Sequence, residues 1–175
     1  MRQSWLTRFQ ICGEDAHFIQ ANLKAFDAPF FSMTPAEAAC LDPQQRLLLE
    51  CAYTAMENAG YSMADMKGSS TGVYTGAFFW DYRDIMMKDV DASLTYTACG
   101  TIASTLAGRV SWFYDLRGPA FVIDTACSSS MVAIHQAVVG LKSRDCDMVC
   151  IIWFEERLIS ILTKLFVRHL RAEPI

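Results

Sequence analysis

Two short apolar runs flank a segment with helical spacing, and neither run alternates apolar with polar side chains. Ala120-Phe121-Val122-Ile123-Asp124 comes first and residues 147–154 form the second run. Between them, residues 128–141 place Met131, Ile134, Val138 and Leu141 on an apolar surface, with Val132, Ala133, Gln136, Ala137 and Gly140 as close-packing positions. A strand covered on both faces loses its period of two, as strands of parallel sheets under helices do. Strand, helix and strand in that order predict an α/β layered fold.

Upstream, the first fifteen residues carry little pattern, and residues 18–23 are semi-apolar before the turn-like Asp27-Ala28-Pro29. Asp42-Pro43-Gln44-Gln45 predicts a helix start: Asp42 as cap, Pro43 in the first position, Gln45 as capping-box partner. Leu48, Cys51, Ala55 and Ala59 continue at helical spacing until Gly60 ends the helix. Residues 72–79 read as a strand whose glycines admit a close neighbour, 81–91 as a surface loop or short helix, and 96–112 as one helix rich in small residues. Asp115-Leu116-Arg117-Gly118-Pro119 reads as a turn.

At 175 residues the chain has the length of one domain. Its 53% hydrophobic and 19% charged composition excludes general disorder. A net charge of −4 without a basic block argues against nucleic acid. Seven cysteines, at 12, 40, 51, 99, 127, 146 and 150, form no spaced framework, so a reduced, cytoplasmic setting is expected. No secretion signal stands near Arg2 and Arg8, and the seven apolar residues 148–154 are too few to cross a bilayer.

Cys127 lies where the strand meets the helix. A sharp turn there lifts a side chain out of the sheet, and the unsatisfied N–H groups of a helix start favour a thiolate, which can attack a thioester and hold the acyl group. Ser128, Ser129 and Ser130 read as capping or packing groups. Position alone leaves open that Cys127 is a small buried hydrophobe.

Asp124-Thr125-Ala126-Cys127-Ser128-Ser129-Ser130 resembles the active-site segment of the beta-ketoacyl synthase domain of polyketide synthases, a family related to the condensing enzymes of fatty acid synthesis. Further blocks follow in family order. They are Phe26-Asp27-Ala28-Pro29-Phe30-Phe31, Leu41-Asp42-Pro43-Gln44-Gln45-Arg46-Leu47-Leu48-Leu49-Glu50, Glu57-Asn58-Ala59-Gly60, Thr71-Gly72-Val73-Tyr74-Thr75-Gly76 and the run from Gly108 to Pro119. The resemblance implies a thiolase-like α/β/α/β/α architecture, of which this chain would hold an incomplete N-terminal half. It implies that Cys127 is the acyl-accepting nucleophile and that its own N–H forms part of the oxyanion hole. Thr125, Ala126 and Ser128 would support the site or line the substrate channel. The implied reaction is decarboxylative Claisen condensation with a malonyl-type extender. It needs no bound metal or nucleotide; the phosphopantetheine arm belongs to a partner acyl carrier protein, and the family is homodimeric.

The family uses two later histidines, and none of His17, His135 and His169 lies in a matching motif. His135 reads as structural. The expected division is a poorly matched leader at 1–16, a partial beta-ketoacyl synthase domain at 17–150 and a divergent tail at 151–175, in which 158–166 read as an amphipathic helix. The expectation is an internal piece cut at both ends, inactive in condensation by itself. The alternatives are a catalytically silent fragment or interaction module, and a cysteine hydrolase. A serine hydrolase lacks its Gly-x-Ser-x-Gly elbow. Zinc at Cys146 and Cys150 lacks further ligands, Gly68, Gly72 and Gly76 lack the Lys and Ser/Thr of a phosphate loop, and Asp81, Asp84, Asp89 and Asp91 read as a solvated face or loop in preference to a metal site. Trp80 and Tyr82 are candidates for the border of an acyl channel and equally for core or dimer packing.

Overall fold

The computed structural model describes residues 25–88 and 95–153. The leader with Cys12 and His17, the stretch 18–23, Asp89 and Asp91, and the tail helix with His169 lie outside the described residues.

The first three helices start at side-chain caps. Thr34 accepts the Glu37 N–H at 3.2 Å to open α1 (Pro35–Cys40), and Asp42 accepts the Gln44 N–H at 2.8 Å to open α2 (Pro43–Asn58), each with proline in the first turn. Gly60, at φ +80°, ends α2 as expected. A Ser62–Asp65 capping box opens α3 (Met63–Met66). Then come β1 (Thr71–Gly76), α4 (Asp81–Met86), α5 (Thr97–Thr101), α6 (Thr105–Tyr114), β2 (Ala120–Ile123), α7 (Ser129–Ser143) and β3 (Met148–Trp153).

Among the described residues the strands form one parallel sheet in the order β2-β1-β3, with Tyr74 opposite both Phe121 and Ile151. The chain is therefore a mixed α/β fold. Because β1 is central, all six of its residues are buried. Val73, Ala77, Cys150 and Ile152 pack with Leu48, Leu49, Leu106 and Val110 of α2 and α6. Tyr74, Val149 and Ile151 pack with Ala133 and Ala137 of α7. Phe31 stacks on Phe26 and meets Phe113, which fastens the first described segment to α6.

Three details differ from the sequence reading. The helix expected over 96–112 is broken at Ile102, whose ψ is 135°. In a continuous helix the Cys99 and Gly100 carbonyls would accept from residues 103 and 104. Here the Asp42 N–H takes Gly100 O at 2.9 Å, and the Gln45 amide takes Gly100 O at 2.8 Å and Cys99 O at 3.3 Å. For the same reason Gln45 is not a capping-box partner. The strand expected to reach Phe79 ends at Gly76, after which Ala77 N–H donates to Ile123 O and Gln44 takes the Phe79 carbonyl at 2.9 Å.

Candidate active site

The link from β2 to α7 is a turn braced by its own side chains. Asp124 Oδ1 accepts the Ala126 N–H at 3.2 Å. Ser128 Oγ donates to Thr125 O at 2.7 Å and lies 2.9 Å from Thr125 Oγ1. Ser129 Oγ donates to Ala126 O at 2.6 Å and accepts the Thr125 N–H at 2.9 Å. These bonds hold Ala126 at φ +54°, a left-handed conformation that costs a residue with a Cβ about 1–2 kcal/mol. The next residue, Cys127, is thereby exposed at the start of α7.

Among the described residues no side chain caps α7, whose N-cap is Ser128; the Ser129 N–H bonds Ala126 O at 3.0 Å, and the positive end of the helix dipole faces the turn. The helix can begin this close to the sheet because β1 ends in glycine. A Cβ on Gly76 would stand 2.9 Å from the Ser129 carbonyl carbon.

The expected site residues Thr125, Ala126, Cys127 and Ser128 thus lie in one turn; Ser128 and buried Ser129 brace it, and neither caps α7. His135 is exposed on α7, about 12 Å of helix rise beyond Cys127. Cys146 and Cys150 are buried, and burial raises both thiols, Cys150 to about 12. They remain protonated packing groups near neutrality. Among the described residues no three His, Cys, Asp or Glu side chains gather as a metal would require. An open cleft of about 540 Å³ lies against β2, lined by its Ala120, Phe121 and Val122 together with Trp80, Arg83, Ala103, Ser104 and Asp124. Tyr82 does not line it and donates to Ala39 O at 3.4 Å.

Sequence reading missed the bracing role of Ser129 and the cluster of Glu37, Gln45 and Arg109. The signal for Ser129 was present, since a serine four residues beyond Thr125 can bond back to it. For the cluster no local signal existed, because its members are separated by up to 72 positions.

This strand, turn and helix fall inside a match to the family model for the N-terminal domain of beta-ketoacyl synthases, which covers residues 7–151. The chain belongs to the beta-ketoacyl synthase family. A highly reducing polyketide synthase of Didymella fabae is 50% identical over 135 residues, 77% of this chain and 7% of that protein. The polyketide synthase-nonribosomal peptide synthetase ACE1 of Pyricularia oryzae is 50% identical over 127 residues, 73% of this chain and 3% of that protein. This ketosynthase sequence therefore spans only a small part of the curated relatives it matches. Its fold superposes on the ketosynthase from module 6 of the bacillaene synthase of Bacillus subtilis 168 with a TM-score of 0.67 at 33% identity, over 78% of this chain and 22% of that one. An oxazolomycin ketosynthase domain from Streptomyces albus gives 0.64 at 32% identity, over 74% and 22%.

Proposed function

We propose that Cys127 is the acyl-accepting nucleophile of a polyketide synthase ketosynthase. Its sulfur attacks the carbonyl carbon of a carrier-bound acyl thioester, and the pantetheine sulfur leaves, taking up the proton that the cysteine gave. Charge collects on the carbonyl oxygen during the attack, and the Cys127 backbone N–H is the proposed donor to it. Thr125, Ala126 and Ser128 keep the turn rigid, so the thiol and that N–H are positioned before substrate arrives. The observation carrying this reading is an exposed cysteine raised on a left-handed residue at an uncapped helix start.

Condensation itself belongs to the complete domain: a malonyl-type extender loses carbon dioxide and its carbanion equivalent attacks the acyl-enzyme. No histidine other than 17, 135 and 169 is present in this chain to assist that step. The partner is an acyl carrier protein with its phosphopantetheine arm. Two surfaces support a larger thiolase-like assembly and a homodimer: the edge of β2, unpaired among the described residues, with Phe121 53% exposed, and the outer face of α7, with Met131 67% exposed. The cytoplasmic setting is proposed from the cysteine content alone.

The test is incubation of the 175-residue chain with an acyl N-acetylcysteamine thioester, read by intact mass. A single acyl adduct on the native chain and none on Cys127→Ala is expected, with no condensation product from malonyl substrate. No adduct on a folded chain whose Cys127 still reacts with iodoacetamide refutes the nucleophile assignment and leaves the silent-fragment reading.

A further inference from the structure

Ser129 reaches back over the turn that carries Cys127. Its hydroxyl accepts the Thr125 N–H at 2.9 Å and donates to Ala126 O at 2.6 Å. That assignment of the proton is forced, because a backbone N–H only donates and a carbonyl only accepts. The Ser129 N–H donates to the same Ala126 oxygen at 3.0 Å. One residue thus supplies a donor for each of the two lone pairs of that carbonyl.

Ser129 is itself held from behind. It is 3% exposed, and a Cβ on Gly76 would stand 2.9 Å from its carbonyl carbon, so β1 leaves it no room to retreat. Ser128 does a different job: it is exposed, and its hydroxyl donates to Thr125 O and lies beside Thr125 Oγ1. The neighbouring serines therefore hold different peptide groups.

The Ala126 carbonyl shares its peptide group with the Cys127 N–H. A trans peptide is planar and its C=O and N–H point in opposite directions, so whatever aims the carbonyl also aims the N–H. With the Ala126 oxygen drawn toward Ser129, the Cys127 N–H points away from Ser129. Ala126 pays a conformational cost at φ +54°, and the bonds to its oxygen oppose rotation out of that state.

We infer that Ser129 is a positioning residue: through the shared peptide plane, its hydroxyl aims the Cys127 N–H at the oxygen on which charge collects during acyl transfer. The inference rests on the acyl-transfer reading and deepens it by naming what orients the oxyanion donor. Ser129 touches no reacting atom; it acts through the peptide it holds.

The experiment compares the 175-residue chain with Ser129→Ala in two reactions of Cys127, each read by peptide mass per folded molecule. One is loading from an acetyl N-acetylcysteamine thioester, and the other is alkylation by iodoacetamide. Alkylation takes place at a saturated carbon and gathers no charge on an oxygen, so it reports the thiol without its oxyanion donor. Losing such a donor outright slows a reaction about a hundredfold or more, and Ser129→Ala keeps the Ser129 N–H bond. Loading should therefore fall about tenfold while alkylation stays within about twofold. Both rates falling together, as a merely structural role would give, overturns the inference. Exchange of the Thr125 amide in the wild-type chain keeps the test decisive if the variant fails to fold. It should be at least about tenfold slower than that of an unbonded amide, and exchange at the unbonded rate overturns the inference. A wild-type chain that is alkylated but accepts no thioester sinks the acyl-transfer reading and this inference with it. A wild-type chain that loads, beside a Ser129→Ala chain that loads equally fast, sinks this inference alone.

Discussion

Gly76→Ala strikes a point where the sheet meets the start of α7, two residues after Cys127. The added methyl stands 2.9 Å from the Ser129 carbonyl carbon and 3.0 Å from both Ser129 O and Ser130 N. All three are backbone atoms, so no side-chain rotation relieves the clash. Restoring an ordinary contact of about 3.5 Å requires the start of α7 to retreat by about half an ångström. That retreat loosens Ala133 and Ala137 against Tyr74, and overpacking of this kind costs about 1–3 kcal/mol. Cys127 moves with the helix start. If a misplacement of about 1 Å slows a positioned reaction about a hundredfold, half of it should slow acyl loading about tenfold. Urea denaturation followed by circular dichroism gives the first quantity, and the rate of acyl adduct formation per folded molecule gives the second. Gly100→Ala is the control. Its methyl collides with the Cys40 backbone, 2.7 Å from the carbonyl carbon, so it should lower stability while leaving loading per folded molecule unchanged. A Gly76→Ala chain as stable as wild type, or one that loses stability yet loads at the wild-type rate, would refute the claim that this contact seats the nucleophile.

Ala126 offers a cheaper probe of the same turn: Ala126→Gly should be neutral or raise the melting temperature, whereas Ala126→Val should cost about 2 kcal/mol or more, because a β-branched residue resists φ +54°. Equal melting temperatures for the two variants would contradict the assigned conformation. Removing Arg109 by substitution with Met, or neutralising Glu37 as Gln, should each cost about 1.5–3 kcal/mol, and the double variant should cost clearly less than their sum because the two side chains share a bond. Strict additivity in urea melts would count against the pair. Burial raises the Asp42 carboxyl above its ordinary range, although bonds from Gln44 and the charge of Arg46 pull it down. The folded chain then holds more protons than the unfolded one, so this group's contribution is greatest below the unfolded value of 3.8 and is lost as pH rises through the higher folded value. Asp42→Asn keeps an acceptor for the Gln44 N–H, and wild type should lose stability relative to it across that window. A pH-independent difference between the two would refute the assignment.

The covered parallel strands, the starts of α2 and α7 and the location of Cys127 were legible because each rests on a local pattern, whereas α1 and α3 were not read. Uninterrupted apolar runs mark covered strands, Asp42-Pro43 marks a helix start, and a strand followed at once by a helix marks the turn. Residues 97–105 were illegible for the opposite reason. Small residues there are compatible with one helix, and only the Asp42 N–H and the Gln45 amide, distant in sequence, withdraw the carbonyls that such a helix needs. Gln45 was misassigned by the same logic. A glutamine in the third helical position fits a capping box by spacing, but nothing nearby announces that Arg109 and Gly100 will compete for it.

The bonds that set Cys127 in place differ in reach from those that would complete the fold. Asp124, Thr125, Ser128 and Ser129 brace the turn within six residues, and a distant contribution is the absence of a side chain at Gly76. Such a turn needs only β1, β2 and α7 to form. The edge of β2 and the outer face of α7 present Phe121 and Met131 to solvent, and burying each large apolar side chain would contribute about 1.5–3 kcal/mol. Nucleophile geometry and global stability should therefore separate. Solution conditions or partners that cover those two surfaces should raise the melting temperature much more than they raise the rate at which iodoacetamide finds Cys127. Parallel changes in both quantities would show that the turn depends on the assembled interface and is not built by its own hydrogen bonds.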